Sequence, residues 1–471
     1  MSVEFIGFIT NNNSSETIVR TGPVLDVPYI ETVAKAHELA GFDRALLAFH
    51  STIPDALQVG QHVLSVTKKL KVMIAQRPGF TAPTLLARQL ATIDQLSGGR
   101  VSLHVITGGN ATELRQDGNT LDDKDERYAR TDEFLDIVRA EWTSEKPFDY
   151  NGKYYKVEKG FSQIKPYQAG GIYTFVGGGS DAAIEVAGKH ADTFALWGES
   201  YAQVRDVTSR VRVAAAKHGR PTPRFSLSVR PILADTEEKA WAKAEEILAR
   251  ATALQDKTGY RKPADGHATA GARRLLELAE QGTRIDKRLW TEMAKLTGAN
   301  SNTTALVGTP EQVAEVFGDY YDLGVSHFLI RGFDPLIDAI EYGRELIPLT
   351  RKLIAERGAA KGVAAAWSAL FSLQACCRIG VSAGRAIEAY AECANSSKVR
   401  PAPRLRSAAM FATPSRRSCA IVRGWSRLPP EPPCLAKSRR YSARDRPRQM
   451  LPANRPRRWR GRNVCVNLPR R

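Results

Sequence analysis

The sequence predicts an α/β fold of the (β/α)8 TIM-barrel type, with an insertion before the last strand and a basic C-terminal tail that we expect to be disordered. Eight short, nearly all-apolar β-rich runs alternate with helical patterns, as expected for parallel strands buried on both faces. The alternating part has a length that α/β barrels commonly reach as one domain. A doubly wound open sheet is the alternative. The glycine-rich loop that it would place after the first strand is absent, and NNNSSET stands there instead.

The first four strands are predicted at VEFIGFI, RALLAF, LKVMIA and VSLHVI, which begin at residues 3, 44, 70 and 101. The helix YIETVAKAHELAG follows the first strand and ends at a glycine, a usual helix stop. APTLLARQLATIDQLSGG follows the third strand and has proline in its first turn and glycines after its end. A polar loop and the helix TDEFLDIVRAEWTS follow the fourth strand.

The second half of the predicted barrel begins after a hairpin, FDYNGKYYKVE, in which Asn151-Gly152 is a strong turn signal. The remaining strands are predicted at IYTFV, DTFAL, FSLSVRPIL and SHFLIRG, which begin at residues 172, 192, 225 and 326. Residues 254–304 form the insertion before the last strand, and we interpret them as a mobile lid over the barrel mouth.

Charge and cysteine content divide the chain into two domains, residues 1–358 and 359–471. Residues 361–471 contain 24 Lys and Arg but 4 Asp and Glu, so the net charge of +18 belongs to the tail. Self-repelling charge with little to bury predicts disorder. The tail is either a nucleic-acid or membrane tether, or a non-native extension; we favour the extension because Arg strongly outnumbers Lys there. All six cysteines lie in it: Cys376, Cys377, Cys393, Cys419, Cys434 and Cys465.

The first 360 residues are nearly neutral, with 44 Lys and Arg and 46 Asp and Glu, which argues against nucleic acid as a partner of the barrel. No apolar run approaches the ~20 residues that a membrane helix needs, and no charged-then-apolar leader follows the start. With no such leader and no cysteine in this part, we expect a cytoplasmic protein without a membrane partner.

In a (β/α)8 barrel, functional residues lie at the carboxyl ends of the strands. Here those ends carry, in chain order, TNNN, HSTIPD, QRPG, TGGN, GGGSD, WGE, RPIL and RGFDP. They show no zinc-ligand spacing, no Walker loop and no nucleophile elbow. Backbone N–H groups, hydroxyls, arginines and one histidine suit a phosphorylated cofactor that brings its own reactivity.

The GGGSD loop has two compatible interpretations. Gly178 and Gly179 with the Ser180 hydroxyl can hold a phosphate at the N-terminus of the following helix. The same residues can also form only a tight strand–helix turn with Ser180 as its N-cap. Three glycines alone do not choose between these roles.

Several separated segments resemble the bacterial luciferase-like flavin monooxygenases, and within them most closely the FMNH2-dependent alkanesulfonate monooxygenases. The resemblance covers roughly residues 3–355. The segments are RPGFTAPTLLARQLATIDQLSGGRVSLHVITGG, DERYARTDEFLDIVR, VGGGSDAAIEVAGKHADTFALWGE, TALVGTPEQVAEVF and LGVSHFLIRGFDPLIDAIEYGRELIPL.

The resemblance implies a (β/α)8 barrel that uses reduced FMN from a separate NAD(P)H-dependent flavin reductase. It implies O2 as co-substrate, a C4a-peroxyflavin and, for an alkanesulfonate, the products aldehyde and sulfite. We expect a homo-oligomer, a dimer or a tetramer. An F420-dependent reductase on the same barrel is the close alternative, and a nucleic-acid-binding protein that acts through the basic tail is the alternative from another class.

The resemblance also implies a cofactor site. Gly178, Gly179 and Ser180 would hold the FMN phosphate, the Tyr128 hydroxyl would reach the same phosphate, and Thr107 would lie near the isoalloxazine edge. Without the resemblance, Tyr128 is a half-buried tyrosine at a helix start and Thr107 an ordinary residue at a strand end.

The sequence departs from the alkanesulfonate branch at its active-site positions, so the resemblance does not fix the substrate. The branch has Cys after strand two, an Arg-x-His pattern on strand seven, Tyr after strand eight and Arg in the mobile loop. It also has a His-x-x-Arg-Tyr arrangement that LDDKDERY lacks. The residues found here at the other positions are Ile53, Ser228, Arg230, Phe333 and Ala299.

Four residues remain at the predicted mouth, His50, Arg77, Arg230 and Arg331, and all but Arg77 are catalytic candidates. His50 ends strand two and is either a base or peroxide-stabilising group, or a histidine without a role. Arg230 and Arg331 either clamp a small anionic substrate such as a sulfonate or carboxylate, or form an ion pair with a barrel carboxylate such as Asp334 or Glu199.

Overall fold

The computed structural model describes residues 2–108, 111–259, 269–299 and 303–359. Its strands are β1 (Glu4–Phe8), β2 (Arg44–Leu47), β3 (Lys71–Gln76), β4 (Val101–Val105), β5 (Phe148–Asn151), β6 (Lys156–Gly160), β7 (Thr174–Gly177), β8 (Thr193–Trp197), β9 (Arg224–Leu233), β10 (Arg284–Ile285), β11 (Leu289–Trp290), β12 (Ala305–Gly308) and β13 (Val325–Ile330). The predicted tail lies outside the described residues from position 360 onward.

The helices surround the strands. They are α1 (Val27–Leu39), α2 (Ala56–Val66), α3 (Pro83–Ser97), α4 (Ala111–Gln116), α5 (Lys124–Thr143), α6 (Asp181–His190), α7 (Tyr201–Lys217), α8 (Glu237–Thr258), α9 (Ala270–Gln281), α10 (Glu292–Thr297), α11 (Pro310–Asp322) and α12 (Ile337–Glu341). A π-helical segment (Tyr342–Leu346) continues α12 into a helical segment over residues 347–359. No helix within these described ranges is both long and apolar enough to cross a bilayer.

Eight parallel strands close into a barrel in the order β1, β2, β3, β4, β7, β8, β9 and β13, and β13 returns to β1. The barrel is closed by the parallel pairing of β8 with β9, which extends from Thr193↔Arg224 to Trp197↔Ser228. These are the eight strands that the sequence predicts, with ends that agree within two residues. The (β/α)8 prediction is confirmed, and the open sheet is excluded.

Side chains alternate between the lumen and the helices along each strand. Inside the barrel, Ile6, Met73, Phe175 and Leu329 form an apolar layer. Helix α3 begins and ends at the proline and glycine that the sequence predicts. Pro83 opens α3, and Gly98 closes it with φ 65°, in the left-handed region that favours glycine.

The amino end of the barrel is filled by a polar cluster. Arg44 donates from Nη1 to Ser102 Oγ at 2.7 Å, and its Nη2 lies 3.4 Å from Glu4 Oε2. His327 approaches the same carboxylate at 3.5 Å. Burial lowers the pKa of His327 to about 4 despite Glu4, so the ring is neutral near pH 7. We assign this cluster a role in stabilising the barrel, because functional groups in such barrels lie at the opposite end.

The predicted hairpin is present, but its turn is longer than the Asn151-Gly152 pair indicates. Asn151 pairs with Lys156 in the β5–β6 ladder, and Gly152 N donates to Tyr155 O, so residues 152–155 form the connection. The Glu133 carboxylate of α5 accepts from the backbone N–H groups of this connection, at 2.7 Å for Lys153. This tertiary contact supports a turn that local sequence does not reveal.

The insertion before the last strand begins later than predicted. Helix α8 continues to Thr258 and ends at Gly259, whose φ of 69° terminates it, so residues 254–258 are helix. The sequence analysis also missed β12, which adds to the outer part of β9 from Ala305↔Arg230 onward and carries β11 and β10 beside it. The described part of the insertion is folded; its mobility stays a prediction, and residues 260–268 and 300–302 lie outside the described residues.

We predict that Gly7→Ala destabilises the barrel. A Cβ at Gly7 would lie 2.0 Å from His37 Cδ2, and the fully buried His37 ring is bonded through Nδ1 to Val33 O at 2.8 Å. Overpacking of this kind costs about 1–3 kcal/mol. Thermal unfolding should show a lower Tm for Gly7→Ala than for the control Gly358→Ala, at which a Cβ meets nothing within 4 Å. Equal Tm values for the two variants would contradict this packing.

Candidate functional site

The carboxyl end of the barrel has a lumen with small side chains above the Phe175 layer. A Cβ at Gly177 would lie 3.5 Å from the His104 ring and 3.6 Å from the Ala195 Cβ, so these residues face one another across neighbouring strands. Burial lowers the pKa of His104 to about 4, which makes it a neutral group near pH 7.

Three predicted cofactor residues from three different elements meet at one buried phenol. Tyr128, in the first turns of α5, is 6% exposed and directs its hydroxyl to Gly177 O at 3.5 Å. Burial raises the pKa of this phenol, while the neighbouring hydroxyls of Thr107 and Ser180 act to lower it. The structure therefore brings together the end of β4, the start of α5 and the loop between β7 and α6.

The glycines of this loop are required by its close contacts. A Cβ at Gly178, where φ is 154°, would lie 2.3 Å from Tyr128 Oη. Ser180 is the N-cap of α6 and accepts from Ala183 N at 3.3 Å. The turn-and-cap interpretation is thus correct. It leaves the N-terminus of α6 directed at the hydroxyl cluster of Thr107, Tyr128 and Ser180.

Helix α9 of the insertion covers the same loop. A Cβ at Gly179 would lie 3.0 Å from Gly271 N, and a Cβ at Gly271 would lie 2.4 Å from Trp197 Nε1. The helix is attached to the end of β8 by Arg274, whose Nε and Nη2 each donate to Glu199 at 3.0 Å. Burial raises the pKa of Glu199, and Arg274 counteracts that effect. The start of α9 therefore packs on both the glycine loop and Trp197.

His50 lies just after β2 with 48% of its side chain exposed. Its Nε2 lies 3.5 Å from Glu113 Oε1, and its Nδ1 lies 3.0 Å from Thr52 Oγ1. Arg77, at the end of β3, donates to the same Glu113 oxygen at 2.6 Å. The ring thus has a carboxylate partner and an open side. Both of its predicted roles stay open on geometry alone.

Arg230 and Arg331 have a shared carboxylate partner, Glu16 of the loop after β1. Arg230 Nη1 lies 2.9 Å from Glu16 Oε2, and Arg331 Nη2 donates to Glu16 Oε1 at 2.7 Å. The ion-pair interpretation is therefore the one that the structure contains, although the carboxylate is neither Asp334 nor Glu199. No atom of Arg230 is exposed, so a substrate cannot touch this guanidinium while Glu16 is in place.

One of the replaced active-site positions explains how Arg230 is accommodated. Phe333 is buried, and the Arg230 guanidinium carbon lies 3.5 Å from the centre of its ring. Arg230 also donates from Nη2 to Gly332 O at 2.8 Å. The phenylalanine thus provides a flat face for a buried cation where the resembled branch has tyrosine.

Among the described residues, one group has the spacing of metal ligands: Asp132, Asp136 and His190. Lys189 places its Nζ 2.9 Å from Asp132 Oδ1 and 2.9 Å from Asp136 Oδ2. The ammonium group thus contacts both carboxylates that a metal ion would need and offsets one of their two charges. This cluster packs α5 against α6 and lies outside the hydroxyl cluster.

Sequence reasoning missed Glu16 and Glu113. Both lie in polar loops, NNNSSET and TGGNATELRQDGN, and no spacing within those loops relates them to a histidine or arginine elsewhere. Their partners come from strands that are distant along the chain. The sequence signal for these two residues is that each lies after the carboxyl end of a barrel strand. Several other polar residues in the same segments share that position, so it does not single out Glu16 or Glu113.

A protein-family comparison matches residues 3–327 to the luciferase-like monooxygenase family. The chain belongs to this family. The matched range contains β1 to β12, the hydroxyl cluster and the Glu113–His50 contact. This match confirms the resemblance to the luciferase-like monooxygenases. Specificity for alkanesulfonates stays a prediction.

Solved structures of related proteins share the fold. A riboflavin lyase (RcaE) solved with modified FMN and riboflavin has a TM-score of 0.62 at 19% identity, covering 76% of this chain and 92% of that chain. EDTA monooxygenase (EmoA) from Chelativorans sp. BNC1 has a TM-score of 0.62 at 20% identity, covering 75% and 94%. An F420-dependent secondary alcohol dehydrogenase has a TM-score of 0.55 at 17% identity, covering 74% and 99%. At these identities the likeness establishes the fold.

We predict that Glu16→Gln destabilises the protein strongly. The change keeps the side-chain volume but leaves the fully buried Arg230 without its counter-charge, a loss that typically costs about 3–5 kcal/mol. Thermal unfolding should show a large decrease in Tm. The control is Glu185→Gln, which removes surface contacts to Lys217 and His218 and should change Tm little. A Tm for Glu16→Gln as high as that of the control would show that Arg230 does not depend on Glu16.

Proposed function

We propose that this protein is an FMNH2- and O2-dependent monooxygenase of the two-component type. It would receive reduced FMN from a separate NAD(P)H-dependent flavin reductase. Its substrate would be a small anionic organosulfur compound, with an alkanesulfonate as the first candidate and aldehyde and sulfite as products. The observation that carries the proposal is the convergence of Thr107, Tyr128 and Ser180 at the N-terminus of α6, in a chain of the luciferase-like monooxygenase family.

The hydroxyl cluster fits the phosphate of FMN. It presents hydroxyl donors beside the positive end of a helix, the arrangement that favours a phosphate group. Gly178 keeps the backbone beside Tyr128 free of a side chain, since a Cβ there would lie 2.3 Å from the phenol oxygen. In the riboflavin lyase, which shares the fold, the bound molecules include modified FMN. These observations support Gly178, Gly179, Ser180, Tyr128 and Thr107 as the cofactor residues.

Reduced FMN, when bound, supplies the electrons that activate O2. The chain supplies the surroundings. Helix α9 and Trp197 cover the glycine loop and would limit the entry of water. His50 offers a half-exposed imidazole at the mouth, and a ring nitrogen of this kind can take up or release a proton. We assign it the role of proton-exchanging group.

The two arginines favour an anionic substrate, but they would not clamp it between them as predicted from the sequence. Arg230, Arg331 and Glu16 together carry one net positive charge. Arg331 has 10% of its side chain exposed, whereas Arg230 has none, so direct contact would come from Arg331. Arg230 would contribute through its charge and by fixing Glu16. A single remaining positive charge suits a monoanion such as a sulfonate.

An F420-dependent reductase is the second candidate, favoured by the shared fold of the F420-dependent secondary alcohol dehydrogenase. The two functions differ in cofactor and in the use of oxygen. The deciding experiment supplies reduced FMN or reduced F420 with a panel of sulfonates and sulfones, and follows oxygen uptake, sulfite release and F420 oxidation. Oxygen uptake with sulfite release would support the proposal. Oxygen-independent F420 oxidation would replace it.

We predict that Tyr128→Phe and Ser180→Ala each weaken the binding of reduced FMN by about 1 kcal/mol or more, the worth of a hydrogen bond to a charged group. Reduced riboflavin should be affected much less, because it lacks the phosphate. Equilibrium titration under anaerobic conditions measures both ligands. Tyr173→Phe is the matched control, since this hydroxyl bonds Thr193 near the amino end of the barrel. Equal losses for the two flavins would place the phosphate elsewhere.

We also predict that His50→Ala leaves reduced FMN binding nearly intact and slows oxygenation by ~10²-fold or more, a typical effect of losing one acid–base group. Oxygen would still be consumed but released as H2O2, so the yield of product per O2 falls. The control is His218→Ala, which removes a histidine paired with Glu185. If His50→Ala forms as much product per O2 as the parent protein, another residue exchanges the proton.

A further inference from the structure

We propose that Glu113 is a positioning residue for His50, which holds the ring with the proton on Nε2 and the lone pair on Nδ1. The inference deepens the proposed function, because it rests on His50 as the proton-exchanging group. Glu113 is in α4, on the loop that connects β4 to α5, and its side chain reaches across to the ends of β2 and β3.

The contacts of His50 select one tautomer. The backbone N–H of Thr52 donates to Nδ1 at 3.3 Å, so Nδ1 must carry a lone pair in this arrangement. The proton of the neutral ring is then on Nε2, which faces the Glu113 carboxylate at 3.5 Å. A carboxylate behind one ring nitrogen fixes the orientation and stabilises the protonated ring once the other nitrogen takes a proton. In His50 the nitrogen that would take the proton is Nδ1, which would give up the bond from Thr52 N and donate instead to the Thr52 hydroxyl, 3.0 Å away.

Glu113 is itself charged and fixed in place. Burial would raise its pKa, but hydrogen bonds from Arg77 and from the backbone of Ser51, together with nearby positive charge, hold that pKa below the usual value. Arg77 donates to Oε1 at 2.6 Å, and Ser51 N donates to it at 3.0 Å. The Arg77 guanidinium is in turn placed 5.1 Å from the centre of the Phe49 ring. The charge that faces the imidazole is therefore permanent near neutral pH.

The charged groups around His50 allow a matched comparison. Glu113 faces the ring, Arg77 shares the same carboxylate oxygen, and Asp117 accepts from the Ser51 hydroxyl at 2.6 Å without a contact to the ring. Glu113→Gln keeps an acceptor for Arg77 and Ser51 but removes the charge. Asp117→Asn removes a charge that bonds the same serine. If Glu113 only attached α4 to the loop after β2, Glu113→Gln and Asp117→Asn would have similar effects on His50. If Glu113 positions the ring, only Glu113→Gln changes the state of His50.

The first measurement is the tautomer of His50 in the flavin-free full-length protein, by nitrogen-15 NMR of the histidine side chains, with the signal assigned from His50→Gln. We expect the Nε2–H form to dominate in the parent, to lose population in Glu113→Gln and to be unchanged in Asp117→Asn. An unchanged tautomer in Glu113→Gln overturns the proposal. This result does not depend on cofactor or substrate, so it stands even if the proposed function fails.

The second measurement is a double-mutant cycle on product formed per O2 consumed, across a pH series. A charge pair 3.5 Å apart at a half-exposed site is worth on the order of a factor of ten, so Glu113→Gln should lower the yield by up to about 10-fold. It should have no further effect in a His50→Ala background. Additive effects would overturn the proposal. A normal yield in His50→Ala alone would instead overturn the role of His50 in the proposed function.

Discussion

The pairing of β8 with β9 is the constraint on which the rest of the structure depends, because it turns an eight-stranded parallel ladder into a closed barrel. Closure of a parallel barrel places the carboxyl ends of all its strands at one mouth. Residues from distant parts of the chain then become neighbours: Thr107 with Ser180, His50 with Arg77 through Glu113, and Arg230 with Arg331 through Glu16. Strand β9 also continues past the barrel and carries β12, which supports the insertion.

The mouth divides into two chemically distinct sides. One side is a cluster of neutral hydroxyls, Thr107, Tyr128 and Ser180, at a helix N-terminus and under the start of α9. The other side holds charges that are paired internally, with one acidic residue between two basic groups in each case. Glu16 serves Arg230 and Arg331, and Glu113 serves Arg77 and His50. The first side suits a phosphate and the second suits proton exchange and anion recognition.

The sequence predicts the fold well because buried parallel strands are apolar throughout and recur between helices, a pattern that local residues carry. The family resemblance also points to Tyr128 and Ser180, because the DERYAR segment and the glycine loop are each contiguous in the sequence. The structure brings their hydroxyls together, and their binding of a phosphate stays a prediction. It fails for Glu16 and Glu113, whose importance arises only from partners on other strands. The same limit explains Arg230: its position at a strand end was predictable, while its complete burial against Glu16 and Phe333 was not. Element boundaries failed where a tertiary contact decides them, as in the Glu133-supported hairpin turn.

The central claim is that the mouth holds FMN by its phosphate at the hydroxyl cluster. A crystal structure of the complex with FMN tests it most directly. We predict that the phosphate lies within hydrogen-bonding distance of the Ser180 and Tyr128 hydroxyls, at the N-terminus of α6, with the ring system directed toward Thr107 and the lumen. A phosphate bound at the Glu16–Arg230–Arg331 group, or a ring system outside the mouth, would contradict the account.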